Sequence, residues 1–188
     1  MERPALAPTL WRTCRVLANT RRLDLVRAMV GHPPQTVTEL SRRCGQSFTL
    51  SCQYLRLLQS RGLCRAVRHS RWVSYELRAD PTVRNSPELL DALIRELSRP
   101  DADLARVFRT LTACTHPRRV EMLARLRAAP NQTTAALRAA TRISHAALCR
   151  HLEKLERRGF VRWKSARVEL LEPTGALEQA LLDACGRD

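Results

Sequence analysis

Shifted by 97 residues, the chain aligns with itself. Trp11–Arg65 falls on Phe108–Arg162 without a gap, and identical pairs include Arg12/Arg109, Thr13/Thr110, Arg21/Arg118, Pro33/Pro130, Gln35/Gln132 and Thr36/Thr133. The series continues through Leu40/Leu137, Ser47/Ser144, Cys52/Cys149, Leu55/Leu152, Leu58/Leu155, Arg61/Arg158 and Gly62/Gly159. Whatever the fold, one plan builds it twice. Two domains are expected, residues 1–98 and 99–188. They span 98 and 90 residues, near the lower end of what buries a workable core.

The best-defined stretch is Ile143–Val161. Ser144 suits a helix cap, and Leu148, Leu152 and Leu155 recur at steps of four and three, so they share an inward face. His145, Ala146, Cys149, Arg150 and Glu153 fall on the solvent side. Gly159 ends the helix, and Phe160–Trp163 switches to strand-like residues. Taken alone this is an amphipathic helix of any small helical domain. Cap, leucines and glycine all recur in register upstream, which makes it a repeated device.

In chain order, Leu10, Cys14, Leu17 and Ala18 suit a first helix. Thr20 is the expected cap of a second, with Leu23, Val26 and Met29 inward. Gly31-His32-Pro33-Pro34 is a stop. Thr36-x-x-Glu39 has capping-box spacing and starts a short helix with Val37, Leu40 and Cys44 inward. Gly45-Gln46 turns the chain and Ser47 opens the next helix. Helix, short turn, helix is the helix-turn-helix pattern, whose second helix can enter a DNA major groove. Leu63–Arg68 and Trp72–Leu77 read as strands joined by His69-Ser70-Arg71, with Trp72, Ser74 and Glu76 on one side and Val73, Tyr75 and Leu77 on the other. Such a hairpin is a wing, and its basic tip suits a phosphate backbone or, equally, a solvated turn. Pro87–Leu97 is a helix whose apolar face is wider than a small domain needs. The second unit repeats the plan at 104–113, 117–128, 133–140 and 144–158, then strands near 160–164 and 167–171 with a shorter tip, and a last helix at 174–185. The expected fold class is mainly α with small β-hairpin wings, as two tandem winged helix-turn-helix domains sharing a helical interface.

Charge points to the partner. The formal net charge is +15. Residues 1–80 hold 14 basic and 5 acidic side chains, and residues 104–188 hold 16 and 8, whereas residues 81–103 hold 3 and 5. The excess sits on both repeats and not on a tail, as expected for folded surfaces that meet a polyanion. The 31 Arg to 2 Lys alone could reflect a GC-rich genome; the excess over acids is the stronger observation. No run approaches the ~18 apolar residues of a membrane span, and Met1–Val16 lacks a secretory pattern. A cytoplasmic, nucleoid-associated protein is expected. Seven cysteines without C-x-C or C-x-x-C spacing are expected as thiols packed like small apolar residues.

With these residues in place, the chain resembles the ArsR-type winged helix-turn-helix family of bacterial transcription regulators over about Leu10–Cys185. ISHAALCRHLEKLERRGFV is similar to that family's recognition helix and exit, and RHSRWVSYEL to its wing. The resemblance implies terminal helices that join two units, here as an intramolecular pseudo-dimer, acting on double-stranded DNA, more often as a repressor. It also implies the DNA-contacting set. In the second unit these are Ser144, His145, Ala146, Arg150 and His151, with Lys164 and Arg167 on the hairpin. In the first they are Ser47, Phe48, Thr49, Gln53, Tyr54 and Arg56, with Arg68, His69 and Arg71 on the wing. Arg150 suits guanine, Gln53 adenine, and Phe48 or Ala146 a thymine methyl. Unlike side chains on the two heads predict an asymmetric operator with half-sites about 10 bp apart. One departure stands out. Ser51 occupies the position filled by Leu148, with Leu50 displaced beside it.

Metal-sensing relatives use cysteine pairs before the recognition helix or His-bearing final helices; this chain has neither, and no metal or cofactor is expected. No phosphate loop or catalytic triad order occurs, so no enzyme is expected. Two alternatives stay open: a winged-helix protein-interaction module of a larger complex, and a thiol-based redox-responsive regulator using Cys52 and Cys149.

Overall fold

The structure is a computed structural model and describes residues 8–187. Residues 1–7 and 188, at the outer ends of the two expected domains, lie outside the described residues, as does the side chain of His69. The chain is mainly helical with two small antiparallel three-stranded sheets. The first half runs α1 (Leu10–Leu17), α2 (Thr20–Met29), β1 (Gln35–Thr36), α3 (Val37–Arg43), α4 (Phe48–Gln59), β2 (Arg65–His69), β3 (Trp72–Glu76) and α5 (Ser86–Leu97). The second repeats that order as α6 (Leu104–Ala113), α7 (Pro117–Ala128), β4 (Asn131–Thr133), α8 (Thr134–Thr141), α9 (His145–Glu156), β5 (Val161–Lys164), β6 (Arg167–Leu170) and α10 (Ala176–Cys185).

Local chemistry sets most of the boundaries. Thr36 Oγ1 accepts the Glu39 N–H at 3.3 Å while the Glu39 carboxylate accepts the Thr36 N–H at 2.7 Å, closing the expected capping box. Thr133 caps α8 alone, because Ala136 stands where Glu39 does. The cap of α2 is Asn19 and not Thr20. Asn19 has the extended backbone, so its Oδ1 meets the Arg22 N–H at 3.0 Å, and Thr20 is already the first helical residue. Both α4 and α9 end in the same two bonds. Leu63 N–H donates to Leu58 O and Gly62 N–H to Gln59 O; Phe160 and Gly159 do the same to Leu155 O and Glu156 O. The glycines at φ 68° and 76° make that reversal without a Cβ penalty.

The sheets hold one strand more than expected each. Gln35–Thr36 pairs with Tyr75 and Ser74, and Asn131–Thr133 with Glu169, Val168 and Arg167, giving orders β1-β3-β2 and β4-β6-β5. The first hairpin also starts later than expected. Leu63 and Cys64 belong to the helix exit and are buried, the Cys64 thiol donating to Leu55 O at 3.5 Å. Its turn is only Ser70-Arg71, because His69 pairs with Trp72.

The halves join through α1, α2 and α5 of the first and α6, α7 and α10 of the second. Leu89, Leu90, Leu93 and Leu97 of α5 and Leu177, Leu181 and Leu182 of α10 are buried, each burial stabilising by about 2 kcal/mol. α5 and α10 pack against each other, and the side chains bridged at their ends make them antiparallel. At one end of the pair Arg106 bridges Glu96 of α5 (3.4 Å) and Glu178 of α10 (3.1 Å). At the other, Arg187 reaches Glu88 (3.3 Å) and the Asn85 Oδ1 (3.0 Å). α1 packs on α6, and α1 meets α7 just as α6 meets α2. Reciprocal contacts of this kind define an isologous interface, built here within one chain.

Candidate nucleic-acid interface

Each half presents one helix outward from the same local device. In the first, Leu40 of α3 and Leu55 and Leu58 of α4 are fully buried, so the two helices pack as a unit. The turn between them is tied to α2 by Gln46, whose Nε2 donates to Arg21 O at 2.9 Å. Ser47 Oγ then accepts the Leu50 N–H at 3.3 Å, as Ser144 Oγ accepts that of Ala147 at the same distance. In both serines the lone pair serves the helix and the hydroxyl proton remains to donate outward.

Of the expected contact residues, the structure exposes Ser47, Phe48, Thr49, Gln53 and Arg56 along α4 and its cap, and Ser144, His145, Ala146 and Arg150 along α9. Phe48 is 56% exposed, a large apolar ring facing water. On the hairpins Arg68, Arg71, Lys164 and Arg167 are exposed.

Two expected contact residues are half-buried at the edge of their helix face. Tyr54 is half-buried, with the Arg22 guanidinium over its ring at 5.0 Å. Its counterpart His151 is half-buried and packs against the His116 ring, 4.5 Å between centroids with the planes tilted by 44°. Both lie one position before a buried leucine (Leu55, Leu152), which carries them to the edge of the inward face. Cys149, expected on the solvent side, is half-buried with its Sγ 3.4 Å from His145 Nδ1, and Cys52 is half-buried too.

Arg22 and Arg119 form a pair that pattern reading missed. Arg119 is buried; it donates to Ala113 O (2.6 Å), Thr112 O (3.1 Å) and Thr115 Oγ1 (2.8 Å), closing the carbonyl end of α6. Arg22 donates to the matching carbonyls of Val16 and Arg15 at the end of α1. Their identity at matched positions was visible; that one is buried was not, since a charged side chain reads as exposed. The arginine then orders the region beneath the outward helix, and Arg158 at the end of α9 adds a 2.7 Å bond to Thr112 Oγ1.

The second half carries a concentrated positive field around α9. His151 is pushed down to about 4, first by burial and then by His116, Arg119, Arg150 and Arg118. Burial and then Arg119, Arg118 and Arg15 lower His116, whose Nδ1 accepts the Arg118 N–H at 3.1 Å to cap α7. The Lys154 amine is lowered by burial, Arg119, Arg158 and Arg157. Burial is the larger cause in both rings, and the arginines around them add to it.

Comparison with protein-family models, with curated proteins and with solved structures gave no match. Among the described residues no group of three or more His, Cys, Asp or Glu side chains is placed to hold a metal ion. No helix of the described residues is long and apolar enough to cross a membrane. An open cleft of about 430 Å³ lies between α2 and α3, lined by Asp24, Arg27, Ala28, Arg43 and Cys44. Burial and then Asp24 raise the Cys44 thiol, so it is not primed as a nucleophile there.

Proposed function

We propose that the chain is a sequence-specific double-stranded-DNA-binding transcriptional regulator. On this reading each half is a winged helix-turn-helix of ArsR type, α4 and α9 are the recognition helices, and the two halves form an intramolecular pseudo-dimer on an asymmetric operator. The observation that carries the reading is the repetition of one outward helix on both sides of a reciprocal interface, each with a capping serine and an exposed polar face. The excess of basic residues on both halves supports it, because phosphate contacts supply most of the affinity of such proteins. The two faces differ in chemistry: Phe48, Thr49, Gln53 and Arg56 on one, His145, Ala146 and Arg150 on the other. Each therefore suits a different half-site. Repression is the outcome that the resemblance to the ArsR-type family implies.

Selecting bound sites from a random duplex pool tests the proposal directly. A recovered site should be non-palindromic, with two blocks about 10 bp apart. Affinity should fall steeply with log salt, and Arg150→Ala should cost about 1–3 kcal/mol at one base position only. Enrichment of no site, together with no duplex binding at low salt, refutes it.

A further inference from the structure

The two hairpins differ in a way the fold does not require. Arg65↔Glu76 and Arg162↔Glu169 are matched cross-strand pairs, each closed by an ion pair (2.7 and 2.9 Å). Beyond that level the first hairpin carries ten residues and the second six. The first thus projects two further residues on each strand, about 7 Å at roughly 3.3 Å per residue. The added levels are Arg68↔Val73 and His69↔Trp72, topped by Ser70-Arg71. The second sheet closes without them, so sheet closure does not account for the extension.

Its chemistry narrows what that is. Trp72 is 60% exposed and the Arg71 guanidinium lies over its ring at 5.4 Å. Trp163, on the shorter hairpin, is half-buried by contrast. Between Ala66 and Ser74 there is no Asp or Glu, while Arg68 and Arg71 are exposed. An exposed indole with Arg71 over it, and Arg68 on the opposite face of a ribbon two strands wide, is complementary to a groove with apolar walls and anionic rims. The minor groove of a duplex has that character, and apolar side chains placed in it wedge between base steps and kink the helix. An acidic protein groove would satisfy the arginines but offers no stack of flat rings for the indole.

We propose that the tip of the first hairpin is a minor-groove wedge. Trp72 stacks against the bases while Arg68 and Arg71 hold the flanking phosphates, so the duplex is kinked under the first half alone. The inference rests on the DNA-binding reading and goes beyond it by assigning a distortion and its residue.

The test uses the full chain and a duplex of about 30 bp, three helical turns, recovered from the random pool and dye-labelled at both ends. Wild-type protein should quench indole emission on binding and shorten the end-to-end distance. Trp72→Ala should abolish the shortening and weaken binding about tenfold, as loss of one base–aromatic stack does, while Trp72→Phe retains most of both. Circular dichroism of both variants should match wild type, since the side chain is exposed. Binding and bending by Trp72→Ala equal to wild type overturns the wedge and leaves the DNA reading intact. A blue shift of indole emission with protein concentration, without DNA, with doubled mass and absent from Trp72→Phe, makes Trp72 a self-association contact and likewise overturns it. Absence of duplex binding by wild-type protein at low salt removes the underlying reading as well.

Discussion

Arg142 offers a measurement in which the chain supplies its own control. It follows α8 in the turn before α9 and adopts φ 52°, the left-handed region. Ninety-seven residues earlier the same turn is made by Gly45 at φ 58°. A side chain in that region costs about 1–2 kcal/mol. Replacing it by glycine recovers that cost but returns about 0.5–1 kcal/mol to the freedom of the unfolded chain. Arg142→Gly should therefore stabilise the protein by about 0.5–1 kcal/mol, raising the melting temperature by roughly 2 °C for a chain of this size. The reciprocal change is equally clean, because a Cβ built on Gly45 meets nothing within 4 Å. Gly45→Ala should lose about 0.5–1 kcal/mol from backbone conformation alone. Urea denaturation with an unchanged m-value reads both. A stability for Arg142→Gly at or below wild type, or a neutral Gly45→Ala, refutes the reasoning. The variant also reports on function. If the exposed guanidinium meets a phosphate, the log–log salt slope of DNA binding falls by about 0.9, so stability rises as affinity drops.

Three further outcomes are expected. Ser51 is fully buried and its hydroxyl has no partner; Ser51→Ala should stabilise by about 1 kcal/mol, seen as a higher urea midpoint, and a loss would show that the hydroxyl is satisfied. Arg119→Met keeps the stem but removes three hydrogen bonds, and should cost about 2–4 kcal/mol in the same assay; Arg22→Met, at a half-exposed position, should cost less, and equal losses would deny burial a role. Because folding lowers the His151 pKa to about 4, the unfolded chain binds the extra proton first. Its contribution is complete above about pH 6.5 and is lost as pH falls toward 4. His151→Phe should flatten that part of a stability–pH profile, and an unaltered slope there would contradict the assignment.

The helices were legible because their signals are periodic and their ends are punctuated. Leu148, Leu152 and Leu155 are all buried, the Thr36–Glu39 box closes, and Gly62 and Gly159 reverse the chain where expected. The displacement of Ser51 into the buried position was legible too, from the alignment of the halves. What escaped was set by partners distant in sequence. β1 and β4 are two and three residues long, too short for alternation to register, and exist only because β3 and β6 pair with them. Tyr54 and His151 sit at the border of a helix face, where periodicity alone does not decide; the Arg22 guanidinium and the His116 ring draw them in. The bare indole at the hairpin tip was read only as one side of a strand, since alternation says which face a residue takes and not whether anything covers it.

The reciprocal seam between the halves changes the arithmetic of substitution. In an assembly of two identical chains every altered residue is felt twice, once on each side of the axis, and no face can specialise without its twin. Here a substitution lands once. That freedom is visible where glycine faces arginine in matched turns and serine faces leucine in matched cores. The ratio of one head to the other is also fixed by a covalent bond, so their meeting is unimolecular and does not depend on how much of the protein a cell contains.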